Sequence, residues 1–234
     1  MKGWFVQQAV EGLLEAAMLL GFGYLLADAV IGRRELGAAV KWALAFPSLV
    51  AFALLLMLAH IATGGLVFSQ PWVVRALTGA AAVLLLARAV FVRREPGARF
   101  ALGEALPVLA MIGLALVVWG YPILRLVPPA GGGDLKWHMG WASQLMTGET
   151  TPSTIVTGAV PNYYPWMFHA LVAWLAAFTP RGHAYNVLPA LQMLQLSAIV
   201  LGLFALGKTL GKTRLAGAAT ALFGALAGGP LLRP

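Results

Sequence analysis

Residues 131–141, GGGDLKWHMGW, put an acid, a base, a histidine and two tryptophans together in a chain that is otherwise largely apolar. Asp134 and His138 are four residues apart, so on a helix they share one face and can touch. A carboxylate fixed at a helix start beside water is well placed to act as a general base. Asp is also a preferred N-cap, because its carboxylate accepts the free N–H groups of the first turn, and the two roles are compatible. His138 has three readings: a hydrogen-bond partner that tunes Asp134, a second ligand with Asp134 to a divalent cation, or an interfacial ring among headgroups. Two ligands fall short of a metal site, and Glu149 and His169 are the residues that would complete one. Arg125 and Lys136 bracket Asp134 and can clamp a lipid phosphate, although snorkelling to ordinary headgroups is the commoner fate of such side chains. Tyr163 and Tyr164, ahead of Pro165, are either belt aromatics or a surface for a sugar or phosphate. His169, four residues after Pro165, is either a ligand or a polar packing group.

These residues need a scaffold, and composition says what kind. Of 234 residues, 60% are hydrophobic and only 10% charged, with 27 glycines. A water-soluble domain of this size needs far more polar surface, so the chain reads as an all-α, polytopic membrane protein. The absence of cysteine excludes disulfides, thiolate nucleophiles and cysteine-ligated zinc. The net charge of +8 does not indicate nucleic acid as a partner, because the basic residues sit mostly in short loops, without a stripe of interleaved aromatics. Glu11 and Glu15 interrupt the first apolar stretch, which shows no small-residue cleavage site and reads as a retained helix. No phosphate-cradling glycine loop, serine-nucleophile motif or His-Glu metal helix is present.

A membrane-crossing helix needs about 20 mainly apolar residues. Six segments qualify: Ala9 to Ile31, Trp42 to Ile61, Trp72 to Val92, Leu106 to Val127, Val187 to Leu206 and Leu215 to Leu232. GRRELG, TGGLVFSQP, RREPGARF and GKTLGKTR punctuate them with Gly, Pro and charge. Trp166 to Phe178 is apolar for only 13 residues, which predicts a re-entrant or interfacial helix. DLKWHMGWASQLM predicts a second, lying along the interface with Leu135, Met139, Ala142 and Met146 as its apolar stripe and Trp137 and Trp141 at headgroup level.

Charge then orients the chain. Nine of the 16 basic residues fall in three loops: Arg33, Arg34 and Lys41; Arg93, Arg94 and Arg99; Lys208, Lys212 and Arg214. All three are cytoplasmic under the positive-inside tendency only if the short segment dips in and returns. The expectation is therefore an integral protein of the cytoplasmic membrane with an external N-terminus and one large external loop, residues 128–186. Long loops with their own amphipathic elements usually exist to bind something.

The order of these elements resembles the amino-terminal part of the GT-C superfamily of integral-membrane glycosyltransferases. The likeness rests on GGDLKWHMGWASQLMTGE, then NYYPWMFHALVAWLA, then a span ending in GKTLGKTR and a further span. It is closest to actinobacterial arabinofuranosyltransferase-like and mannosyltransferase-like members, and covers about Leu106 to Pro234. The resemblance implies a first external loop carrying an essential acid, two juxtamembrane helices and the groove for a polyprenyl-phosphate sugar. Asp134 matches the acid, as general base or as the group that positions the acceptor hydroxyl. Arg125, Lys136, Trp137, His138, Tyr163, Tyr164 and His169 would then meet substrate, with Arg125, Lys136 or a divalent cation neutralising the leaving phosphate. The acceptor would be an extracytoplasmic glycan, lipid or protein. Many members carry two adjacent acids where this chain has Asp134 followed by Leu135, and they have more spans, so an amino-terminal fragment is also expected.

Two further classes compete. A non-catalytic scaffold would hold the polyprenyl lipid in the same loop without turnover. A transporter subunit would line a midplane path with polar groups on discontinuous helices, whereas here polar residues concentrate in one loop. On this reading residues 1–104 form a three-helix membrane extension and residues 105–234 the core.

Overall fold

The computed structural model describes residues 2–31, 38–91, 102–115, 133–151, 167–179 and 184–227. Helices α1 (Lys2–Ile31), α2 (Ala38–Ala43), α3 (Ala45–Ala62), α4 (Leu66–Ser69), α5 (Pro71–Phe91) and α6 (Leu102–Ala115) make up the first half. Helices α7 (Gly133–Met146) and α8 (Met167–Ala176), a 3-10 turn (Ala184–Val187), α9 (Leu188–Gly211) and α10 (Arg214–Ala227) follow. No strand occurs among the described residues. In hydrocarbon every backbone N–H and C=O must be satisfied within its own segment, and helices achieve this.

Four of these helices contain a stretch long and apolar enough to cross a membrane: Leu14–Ile31, Ala45–Ala62, Pro71–Phe91 and Ala190–Gly211. The chain is a membrane protein. Helices α6 and α10 are each 14 residues long, about 21 Å at 1.5 Å per residue, against a hydrocarbon core of about 30 Å. The remainder of the expected spans Leu106 to Val127 and Leu215 to Leu232 lies outside the described residues. Exposed side chains along α5, among them Val83, Leu84, Leu86, Val90 and Phe91, give it the apolar surface that lipid requires.

The chain divides into two compact units. One comprises Met1–Ser48, Leu85–Val127 and Pro189–Pro234, the other Leu49–Leu84 and Pro128–Leu188. In the first, α1 packs on α2 and α6 packs on α10. Helix α9 runs through GKTLG to Gly211, five residues beyond its expected end at Leu206. The sequence GKTLGKTR looks like a break, but Gly207, Gly211 and Gly217 let α9 and α10 approach closely: a methyl group on Gly217 would stand 2.8 Å from the Phe204 carbonyl oxygen. The turn itself is short. Lys212 takes a positive φ of 53°, and the Thr213 hydroxyl accepts from Ala216 N–H at 3.1 Å, capping α10.

The second unit contains α4, α7, α8, the 3-10 turn and parts of α3 and α5. Helix α8 is its centre: His169 through Ala176 are all buried. An all-round apolar helix belongs in a core; α8 occupies ten residues of the 13-residue apolar stretch, and its burial is a setting that a re-entrant helix also has. It is wrapped by protein. Trp174 donates its indole N–H to the Thr78 hydroxyl of α5 at 3.0 Å and meets Phe52 of α3 edge-on at 5.2 Å. Arg75 Nε donates to the Ala177 carbonyl at 2.7 Å, placing a cation at the negative end of the α8 dipole.

Candidate functional site

Helix α7 presents Met139, Ala142 and Leu145 to the interior, each fully buried. The expected stripe ended on Met146; the observed one ends on Leu145, because residues three apart stay nearly in line on a helix. His138 and Trp141, one turn apart, face α8, whose first turn supplies Phe168 and His169. His138 Nδ1 and His169 Nε2 are 2.9 Å apart, with the rings stacked at a centroid distance of 5.1 Å. Trp141 stands edge-on to His138 at 5.4 Å and to His169 at 5.3 Å. Phe168 closes the other side, 5.6 Å from His138. Trp137 is 6.4 Å from Trp141 and half-exposed.

A hydrogen bond between two ring nitrogens holds one proton, so one ring donates and the other accepts. His169 is completely buried. Burial, reinforced by the nearby His138, pushes its pKa down to about 4, since a desolvated imidazolium is disfavoured. His169 is therefore neutral near pH 7. It fixes the ring plane of His138, which is half-exposed. The result is a half-exposed histidine of fixed orientation, backed by a neutral one and walled by aromatic rings.

Asp134 and Lys136 occupy the first turn of α7, one of them four residues before His138; their side chains lie outside the described residues. Arg125, Tyr163 and Tyr164 lie outside them altogether. Of the remaining expected residues, His138 and His169 meet directly, and Trp137 stands on the same helix at the margin of the cluster.

A cation site does not form from the described residues. No group of three or more ligating side chains occurs among them, and His138 Nδ1 is engaged with His169. Glu149 follows the far end of α7, at least about 12 Å along the axis from His138, and cannot share an ion with it. Its backbone serves elsewhere. His60 Nδ1 accepts from Phe68 N–H at 3.0 Å, so the ring proton is on Nε2 and is donated to the Glu149 carbonyl at 3.1 Å.

That bond joins two matching helix ends. At the end of α3, Gly65 N–H bonds to the His60 carbonyl at 2.8 Å and Gly64 N–H to Ile61 at 3.1 Å. At the end of α7, Glu149 N–H bonds to Gln144 at 3.0 Å and Gly148 N–H to Leu145 at 3.1 Å. Both are Schellman motifs, with Gly64 (φ 63°) and Gly148 (φ 102°) in the left-handed region. Gly65 lies directly on the Gly148 carbonyl. The end of α3 and the end of α7 are thus bolted together, which fixes α7 at one end while α8 fixes it along its length.

Sequence reasoning did not find Phe168, His60 or Thr78. The spacings His138/Trp141 and Phe168/His169 were available as a signal; the long-range partners of His60 and Thr78 had none. No protein-family model matches the chain, and no curated protein or solved structure matches it either.

Proposed function

We propose that the chain serves the transfer of a sugar from a polyprenyl-phosphate donor to an extracytoplasmic glycan, lipid or protein. The observation that carries this reading is the joining of α7 and α8 through His138, His169, Trp141 and Phe168. A connector between spans has no need of two packed helices whose contact is a half-exposed histidine backed by a buried one, about one turn from an acid. Asp134 is the general base. It takes the proton from an acceptor hydroxyl, whose oxygen attacks the anomeric carbon while the bond to the lipid phosphate breaks. Arg125 and Lys136 neutralise the departing phosphate. His138, held by His169, and Trp137 contact the sugar. Tyr163 and Tyr164 complete the groove.

The finer topology belongs to the same proposal: six spans, with the N-terminus and residues 128–186 external. The meeting of residues 60–68 with residues 148–149 supports it, because the turn after α3 and the end of α7 must then lie on one side of the membrane. Counting crossings from basic loops puts both outside.

The test is transfer from a panel of radiolabelled polyprenyl-phosphate sugars in membranes expressing the chain. Label passing from one of the donors into a polar or lipid product is the expected result. Saturable retention of donor without product, for every sugar tried, would replace this reading with that of a lipid-holding scaffold.

A further inference from the structure

A second feature lies in the other unit and is independent of the proposed activity. Asp28 lies in the last turn of α1, Lys41 in α2 and Arg88 in the last turn of α5. Asp28 Oδ1 accepts from Lys41 Nζ, and Oδ2 accepts from Arg88 Nη1 at 3.3 Å. The same Nη1 also reaches the Asp28 carbonyl at 3.3 Å. The Lys41 side chain is 7% exposed and that of Asp28 20%, whereas that of Arg88 is 34% exposed. Two cations therefore share one carboxylate, and the outer cation is Arg88. Its Nε and Nη2 find no acceptor among the described residues. Those two nitrogens form one edge of the guanidinium fork, the edge that matches two oxygens of a phosphate.

The surroundings are those of a membrane boundary. Tyr24, one turn before Asp28, packs on Trp42, next to Lys41, with centroids 4.7 Å apart. Val90 and Phe91, beside Arg88, are 78% and 84% exposed. An uncompensated charge at such a boundary is costly, and the chain's own acids are too few to compensate it. Residues 28–41 and 88–99 together hold seven basic residues, Arg33, Arg34, Lys41, Arg88, Arg93, Arg94 and Arg99, against three acids, Asp28, Glu35 and Glu95. Even complete pairing leaves an excess of four positive charges. Such an excess of basic residues beside a membrane attracts anionic headgroups.

We infer that Arg88, steered by Asp28 and Lys41, binds the phosphate of an anionic glycerophospholipid, whose acyl chain lies along Val90 and Phe91. Nη1 is held by Asp28, so the Nε/Nη2 edge is pre-set toward the headgroup. Asp28 has two effects: it orients Arg88 and it subtracts one charge from the site.

The purified full chain in neutral detergent would be titrated with dioctanoyl phosphatidylglycerol, dioctanoyl phosphatidylcholine and inorganic phosphate, with thermal unfolding as the readout of binding. The anionic lipid is expected to bind about fivefold or more tighter than the zwitterionic one, the ratio that one surface charge contributes, and inorganic phosphate far more weakly than either. Arg88→Gln abolishes the preference, and Arg88→Lys, which keeps the charge without the fork, retains only part of it. Lys212→Gln, an exposed lysine of another basic loop, leaves it intact. Asp28→Asn tightens anionic-lipid binding while lowering the melting temperature in phosphatidylcholine, a pairing that a purely structural role for the cluster does not produce. Equal shifts with the two lipids, inorganic phosphate matching the anionic lipid, or Arg88→Gln losing no more than Lys212→Gln would each overturn the inference. Should Arg88→Gln not fold, Arg88→Lys decides, with an unchanged preference counting against the site.

Discussion

Replacing Gly65 by alanine tests whether the two facing helix ends hold the second unit together. Gly64 and Gly65 are adjacent and both have positive φ, 63° and 95°. A side chain at either costs about 1–2 kcal/mol through the left-handed backbone alone. They differ in space. A Cβ on Gly64 meets nothing within 4 Å, whereas one on Gly65 would stand 2.8 Å from the Gly148 carbonyl carbon and closer still to its oxygen. The obstruction is backbone, so no rotamer change relieves it. The two turns must separate, and the His60–Glu149 hydrogen bond goes with them. Loss of a bond by a buried group adds about 1–3 kcal/mol. Gly65→Ala is therefore expected to cost about 2–5 kcal/mol, and Gly64→Ala about 1–2 kcal/mol. Both are read from SDS-induced unfolding in mixed micelles, followed by tryptophan fluorescence. Equal losses for the two variants would refute the argument, since the backbone term is common to both and the facing turn is not.

Other consequences follow from the same geometry. His60→Ala leaves the Phe68 N–H and the Glu149 carbonyl without their ring partner and opens a cavity, for an expected loss of about 2–4 kcal/mol in the same unfolding assay; a loss under about 1 kcal/mol would mean that water replaces the ring. His169 has a folded pKa of about 4 against about 6.5 unfolded. The unfolded chain therefore binds more protons between these values, and the contribution is complete above about pH 6.5 and lost as pH falls toward 4. The difference amounts to up to about 3 kcal/mol. His169→Phe should flatten that part of the stability profile, and an unchanged slope would show that the ring is not held neutral. The lipid preference set by Arg88 is a further expectation, with opposite signs for Arg88→Gln and Asp28→Asn.

Much of the fold was legible in the chain. Trp42 to Ile61 and Trp72 to Val92 were expected as spans and are found as Ala45–Ala62 and Pro71–Phe91, because about 20 apolar residues between charged or Gly-containing breaks leave little choice in a membrane. Pro71, at the first helical position of α5, marks its start. The end of α9 lies beyond the expected Leu206, at Gly211, since glycine signals both a chain break and a close helix contact, and Gly207 and Gly211 serve the second purpose. Helix α8 shows a different limit. Its ten residues, all apolar but His169, carry no mark of what encloses them; the contacts with Thr78 and Phe52 reach across about 100 residues of sequence. The same holds for the candidate site. The pairing of His138 with His169 across 31 residues and the three-way ion pair of Asp28 come from tertiary packing, which no local pattern encodes.

In the proposed function α7 opens a catalytic site with Asp134 as its base. The most direct measurement is the rate of sugar transfer by Asp134→Asn beside the wild type, with donor binding measured on the same preparations. Positioned base catalysis is worth about 10²- to 10⁴-fold, so transfer should fall by that factor while donor affinity changes little. Transfer that survives Asp134→Asn, or falls only in step with donor binding, would contradict the assignment.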